Sequence, residues 1–280
     1  LLALIAELPD KDSLVSRRSF YGTLRVVERG AGSAVERRNL YNGRILHGVQ
    51  FTQPRRRREP TTYYHFDSGI GLTLTNLFHV GSQRVAVVGL GAGTLAAYGM
   101  DGDYYCFYEI NPDVIDIARE YFTFLRDSPA TVAVEEGDAR LSMERQAPQR
   151  YDVIALDAFS GDAIPTHLLT VEAMAVYLKH LRPNGVLAVH TSNRHLDLVP
   201  IVALLAGHYD LEAVKVDADD GGNLGDAASQ WLLLTRNQRF LQTPEVKAAS
   251  EPVPQAAPEI RMWTDHYSNL FQILRAWRDR

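Results

Sequence analysis

Val85-Ala86-Val87-Val88-Gly89-Leu90-Gly91-Ala92-Gly93-Thr94 decides the fold. An apolar run enters three alternate glycines, and a helix-forming stretch leaves them. Glycine permits positive φ and lets a ligand approach the backbone. A helix that starts there presents unpaired amides. The spacing G-x-G-x-G is tighter than the G-x-G-x-x-G of dinucleotide sites, which argues against a pyrophosphate cradle.

Outward from this stretch, strands and helices alternate. Strands are expected at residues 84–89, 104–110, 131–135, 151–157, 186–191, 212–216 and 230–234. Helices are expected at residues 68–79, 94–100, 112–125, 139–145, 168–181 and 196–208. Pro112 suits a first helical turn, with Val114, Ile115, Ile117, Ala118 and Phe122 as its apolar positions. This order predicts an α/β, doubly wound, mostly parallel seven-stranded sheet, its last two strands antiparallel because only residues 217–229 join them. Four divisions follow: an N-terminal extension at 1–18, a small β domain at 19–67, a Rossmann-like domain at 68–243, and a C-terminal arm and helix at 244–280. Within the β domain, Asn42-Gly43 between two strand-like runs is a hairpin signal.

Composition narrows the function. The chain has 280 residues, 46% of them hydrophobic, and a net charge of −5, so a general nucleic-acid binder is not expected. The single cysteine, Cys106, excludes a disulfide framework and a cysteine-rich zinc site; it reads as a core thiol in a reducing compartment. No histidine spacing suggests a metal. Arg55 to Arg58 reads as a solvated loop, with an anionic surface as the sharper alternative.

Acids end the strands that follow the glycine loop. Glu109, twenty residues after Gly89, can accept from two ribose hydroxyls. Gly137-Asp138-Ala139 ends the next strand, where Asp138 can meet an adenine amino group or merely cap a helix. Asp157 ends the one after. Ligands of open α/β sheets bind at such strand tips.

These motifs, with Tyr108-Glu109-Ile110 and Tyr151-Asp-Val-Ile-Ala-Leu-Asp157, resemble the spermidine/spermine synthase family of polyamine aminopropyltransferases. Gly43-Arg-Ile-Leu-His-Gly-Val-Gln50 and Tyr64-His65 make the narrower likeness, over roughly residues 20–235. The resemblance implies a Rossmann-like S-adenosylmethionine-dependent transferase fold behind a small β-hairpin domain. It implies that Gly89, Gly91, Gly93, Glu109 and Ile110, with Asp138 and Ala139 at the adenine, hold decarboxylated S-adenosylmethionine as co-substrate. Gln50, Tyr64 and His65 would line the aminopropyl and amine pocket, Asp157 would be the acid-base residue, and Asp162 would pair a distal ammonium. The acceptor would be a polyamine such as putrescine, the assembly a homodimer, and the location cytoplasmic.

Two departures stand out. Ala92 replaces an acid that the family carries in its glycine loop, which leaves ordinary S-adenosylmethionine open as the cofactor, and with it methyl transfer or a non-catalytic sensor. The family's second acid falls at Ser160, with Asp162 nearby. The stretches at Phe20, Pro60 and Trp263 also resemble synthase-like domains attached to a membrane region; residues 1–8 would then mark the junction, on the cytoplasmic face.

Overall fold

A computed structural model describes residues 12–79, 81–158 and 165–275. It begins with an antiparallel four-stranded meander: β1 (Ser13–Ser19), β2 (Gly22–Arg29), β3 (Arg37–Asn42) and β4 (Ile45–Phe51). The Asn42-Gly43 turn forms as expected, with Gly43 at φ +58°. All of β1 but Ser19 falls in the span expected as an extension. Its residues are mostly polar, and it holds its place partly through Arg17, whose guanidinium lies 3.3 Å from Asp116 and 3.2 Å from Glu120.

Ser68 then caps α1 (Gly69–Asn76) by accepting from the Gly71 amide. The main sheet follows with β5 (Arg84–Val88), β6 (Tyr104–Glu109), α2 (Pro112–Tyr121), α3 (Phe124–Asp127), β7 (Thr131–Glu136), α4 (Ala139–Arg145) and β8 (Tyr151–Leu156). It continues with α5 (Val171–His180), β9 (Leu181–His190), α6 (Val199–His208), β10 (Glu212–Ala218) and β11 (Ser229–Thr235). The stretch after the glycine loop is a 3-10 turn, Thr94–Tyr98, not a full helix. The strand order is β12-β10-β11-β9-β8-β5-β6-β7, parallel from β9 through β7 and antiparallel on the other side.

All seven expected strands are present, and an eighth joins them. After α7 (Gln238–Leu241) and α8 (Pro244–Ala249), residues of the expected C-terminal arm form β12 (Ser250–Pro252) against β10. The amphipathic helix expected at residues 263–277 does not form over the described residues 263–274, which make only a short 3-10 turn, Leu270–Ile273; residues 276–280 lie outside them. Trp263 is fully buried instead, and Asp265 forms a fork with Arg140 at 2.6 and 2.5 Å. That guanidinium holds the Asp265 carboxyl down to about 2. Tertiary contacts thus override the helical period.

The sheet separates two apolar cores. Val85 and Val87 point into one, Ala86 and Val88 into the other, as strand alternation requires. Cys106 is buried in the second, and burial pushes its thiol up. The order reverses at β5, which pairs with both β6 and β8, so the ligand crevice of such sheets falls at their carboxyl ends. No helix among the described residues is long and apolar enough to cross a membrane; residues 1–8 lie outside them.

Candidate active site

Gly89 leaves β5 at φ +98°, and a Cβ there would stand 2.5 Å from the Asp157 carbonyl oxygen. Only glycine lets the β5 and β8 tips close in this way. Gly91, at φ +54°, lies under the His47 carbonyl, 3.1 Å from where a Cβ would be. Gly93 has another duty: it starts the 3-10 turn at φ +82° and packs on Leu125, outside the cavity lining.

A cavity of about 330 Å³ opens beside this loop. Gly89, Gly91, Glu109, Ile110, Asp138, Ala139, Tyr64 and Asp157 all line it, together with Leu168. Its size suits a small ligand. Glu109 is held at its edge: Oε2 accepts from the Leu90 amide at 2.9 Å and Oε1 from the Asn111 amide at 2.8 Å. Burial pushes its carboxyl up, against those amides. A carboxylate oxygen has two lone pairs, so each can still receive a ribose hydroxyl. Asp138 performs the capping task, accepting from the Leu141 amide at 2.9 Å, while its second oxygen faces His167 Nε2 at 2.8 Å. It lines the cavity as well, so the two readings of this residue coexist.

Asp157 is 95% shielded at the side chain and doubly held. Tyr64 donates its hydroxyl to Oδ2, and His190 Nδ1 lies 2.6 Å from Oδ1. Tyr64 is buried, and its backbone carbonyl accepts from the Tyr98 hydroxyl at 2.6 Å. Burial, then the Asp157 charge, pushes the Tyr64 phenol well up, so it remains a donor. His190 is stacked between Tyr63 and Trp231, with ring centroids 4.7 Å away on each side. Its Nε2 meets the Ser192 hydroxyl at 2.9 Å.

A second, larger cavity of about 890 Å³ adjoins the first at Asp157. Asp157, His47 and Tyr63 line both. Burial lowers the His47 pKa, although the Asp157 charge opposes this.

Besides Gly93, two more expected site residues are not brought to either cavity. Gln50 is buried beneath the β4 end: its Nε2 donates to the Arg57 carbonyl at 2.8 Å and to Thr123 Oγ1 at 2.9 Å. Its Oε1 accepts from the Thr123 amide at 2.8 Å. It therefore ties the small sheet to the α2–α3 junction. His65 is buried and lines neither cavity. Asp162 and Ser160 lie outside the described residues. Ala92 is buried against Gly48 of β4, where a Cβ would stand 2.5 Å from the Ala92 methyl. A longer side chain there would displace the strand. Arg55 to Arg58 is partly committed internally: Arg56 pairs with Glu59 at 2.8 Å, and Arg57 with Asp127 at 3.0 Å.

Residues that sequence reading did not single out are Tyr63, His47, His190 and Ser192. His190 had a signal. It ends β9, the strand beside β8, so it stands next to Asp157 by the same strand-tip rule.

With this geometry in place, comparison with known proteins is direct. A probable spermidine synthase from Corynebacterium glutamicum superposes with a TM-score of 0.64 at 19% identity, over 86% of each chain. A spermidine synthase in complex with the transition-state analogue AdoDATO gives 0.54 at 14% identity, over 89% of this chain and 82% of that one. The fold is that of the spermidine synthases. In sequence, a polyamine aminopropyltransferase of Vibrio vulnificus is 34% identical over 128 residues, 44% of this chain and 42% of the relative. A probable polyamine aminopropyl transferase of Bifidobacterium longum is 27% identical over 158 residues, 55% of this chain and 33% of the relative. An N-terminal histidine N-methyltransferase of Emericella nidulans is 34% identical over 114 residues, 39% of this chain and 20% of the relative. The chain thus spans less than half the length of each curated relative, and no protein-family model matches it. The spermidine synthase likeness read from the motifs agrees with the two polyamine relatives and the solved structures.

Proposed function

We propose that the chain is an aminopropyltransferase of the polyamine type. It takes decarboxylated S-adenosylmethionine in the first cavity and an amine acceptor in the second. The observation that carries this is the place of Asp157, on the wall shared by both cavities. Either group transfer needs a donor cleft and an acceptor chamber that meet at the reacting carbon; the polyamine aminopropyltransferase relatives favour the aminopropyl donor.

The chemistry follows from the acceptor. An alkylammonium with a pKa of about 10.4 is protonated near neutrality, and supplying it as free amine costs about 4 kcal/mol. Asp157 receives that proton and holds the nitrogen in line with the sulfonium carbon. Its two oxygens each keep a lone pair beyond the bonds from Tyr64 and His190. Tyr63, across both cavities, covers the methylenes. The donor is held by Glu109 at the ribose and by Asp138 and Ala139 at the adenine. Ala92 offers no acid to the donor's amine end; the His47 carbonyl above Gly91 is an acceptor on that side.

Mass spectrometry of the products tests the proposal. Each of the two sulfonium donors is supplied with putrescine or another primary amine. A propylamine increment from the decarboxylated donor supports it. Methyl gain from S-adenosylmethionine, or binding without turnover, contradicts it.

A further inference from the structure

The charges of the second cavity point to an acceptor other than a plain diamine. At its inner end Asp157 is held by Tyr64 and His190. Of the other two acids in the lining, Asp217 is taken by Lys215 Nζ at 2.6 Å and by the Gln230 amide at 2.8 Å. Asp219 alone remains at the exposed mouth with no hydrogen bond or ion pair among the described residues.

Three arginines line the same cavity. Arg44 comes from the β3–β4 turn, Arg194 from the loop after β9, and Arg275 from the C-terminal segment. None forms an ion pair among the described residues. Arg275 is fixed in place: its amide donates to the His195 carbonyl at 2.9 Å and its Nε to the Leu196 carbonyl at 3.2 Å. Three elements far apart in sequence thus bring arginines to one cavity wall. Burial lowers the His47 pKa, which disfavours a further positive charge beside this rim.

A plain diamine would carry its second ammonium into this rim, against three cations and one open acid. A carboxylate there gains the planar, two-pronged donors for which arginine is suited. An ammonium on the same carbon can still take Asp219. The mixed rim therefore matches a zwitterionic head.

We propose that the acceptor is an α,ω-diamino acid, with its terminal amine at Asp157 and its amino-acid head at the arginine mouth. This rests on the aminopropyl transfer above and names the substrate class for it. The terminal ammonium gives one proton toward Asp157. Its freed electron pair forms the N–C bond to the aminopropyl carbon of the donor. The C–S bond breaks with its pair going to sulfur, and methylthioadenosine leaves as a neutral thioether. One proton is released per turnover.

The test compares putrescine with ornithine, which differ only by the carboxylate. Initial rates are measured on the full chain with decarboxylated S-adenosylmethionine. Ornithine is expected to show a kcat/KM at least tenfold above putrescine. That ratio should fall toward one in the double variant Arg44→Gln, Arg194→Gln. Equal or better use of putrescine by the unsubstituted chain overturns the inference. If no amine is turned over, the parent reading fails, and binding still decides this one. Calorimetry on protein loaded with methylthioadenosine should then show ornithine bound at least tenfold tighter than putrescine. Any other ranking, or binding of neither, overturns it.

Discussion

His190 Nδ1 lies 2.6 Å from Asp157 Oδ1, inside a stack formed by Tyr63 and Trp231. The ring cannot turn without breaking both stacking contacts. The Ser192 hydroxyl at Nε2 accepts in turn from the Gln230 amide at 2.7 Å, so the ring is held at both nitrogens. His190 is therefore a positioning residue for Asp157. His190→Ala should lower kcat by about 10²-fold, the low end for a disturbed acid-base group. Methylthioadenosine affinity should change less than threefold. His190→Asn, which keeps a donor near the Nδ1 position, should recover part of the loss. A kcat within threefold of the parent for His190→Ala contradicts the role.

Gly89 and Asp157 are coupled through the backbone rather than through side chains. Gly89→Ala adds a methyl against the Asp157 carbonyl at a φ of +98°. Both the clash and the positive φ act together, so a loss of about 2 kcal/mol or more is expected. Urea unfolding checks this. Gly43→Ala, at φ +58° with nothing within 4 Å, is the control and should cost less.

These two pairs show what the sequence carries. The glycine loop and the acids at successive strand tips are short-range patterns, and Glu109, Asp138 and Asp157 do converge on one cavity. Gln50 followed the same logic of likeness but failed to reach it. Nothing local reveals that its amide faces Thr123, a partner 73 residues away. β1 and β12 escaped notice because edge strands need little apolar patterning; their polar residues are half-exposed. The Trp263 segment shows the opposite error. Its period is helical, but burial of Trp263 and the Arg140–Asp265 fork fix an irregular path. The arginine mouth is hidden for a simpler reason: its members come from three distant segments.

Glu109 gives a pH prediction. Burial raises its carboxyl above the ordinary glutamate value of 4.5. A ribose held by the ionised form should therefore bind more weakly as pH falls through that raised value, before ordinary carboxylates titrate. For folding the sign is opposite: stability from this group is present below its unfolded pKa and lost as pH rises through the folded one. Glu109→Gln should weaken methylthioadenosine binding by about 10- to 100-fold, the range for a charge-assisted hydrogen bond, and flatten its acid-side pH dependence. Calorimetry across acidic pH reads both. An unchanged pH profile in the variant would show that another group governs binding.

Gln50 separates support from binding. Gln50→Ala strands the buried Thr123 amide and the Arg57 carbonyl, and should destabilise the fold by about 1–3 kcal/mol. Nucleoside affinity of the folded variant should stay within threefold. Loss of affinity with unchanged unfolding midpoint would place Gln50 in the site after all.

The central claim is that Asp157 stands where donor and acceptor meet and handles the acceptor's proton. Asp157→Asn keeps the size and the contacts to Tyr64 and His190 within reach while removing the charge. The decisive measurement pairs product formation with methylthioadenosine calorimetry on this one variant. The account predicts transfer reduced by about 10³-fold or more, with nucleoside affinity within about threefold. Transfer at the parent rate would contradict it.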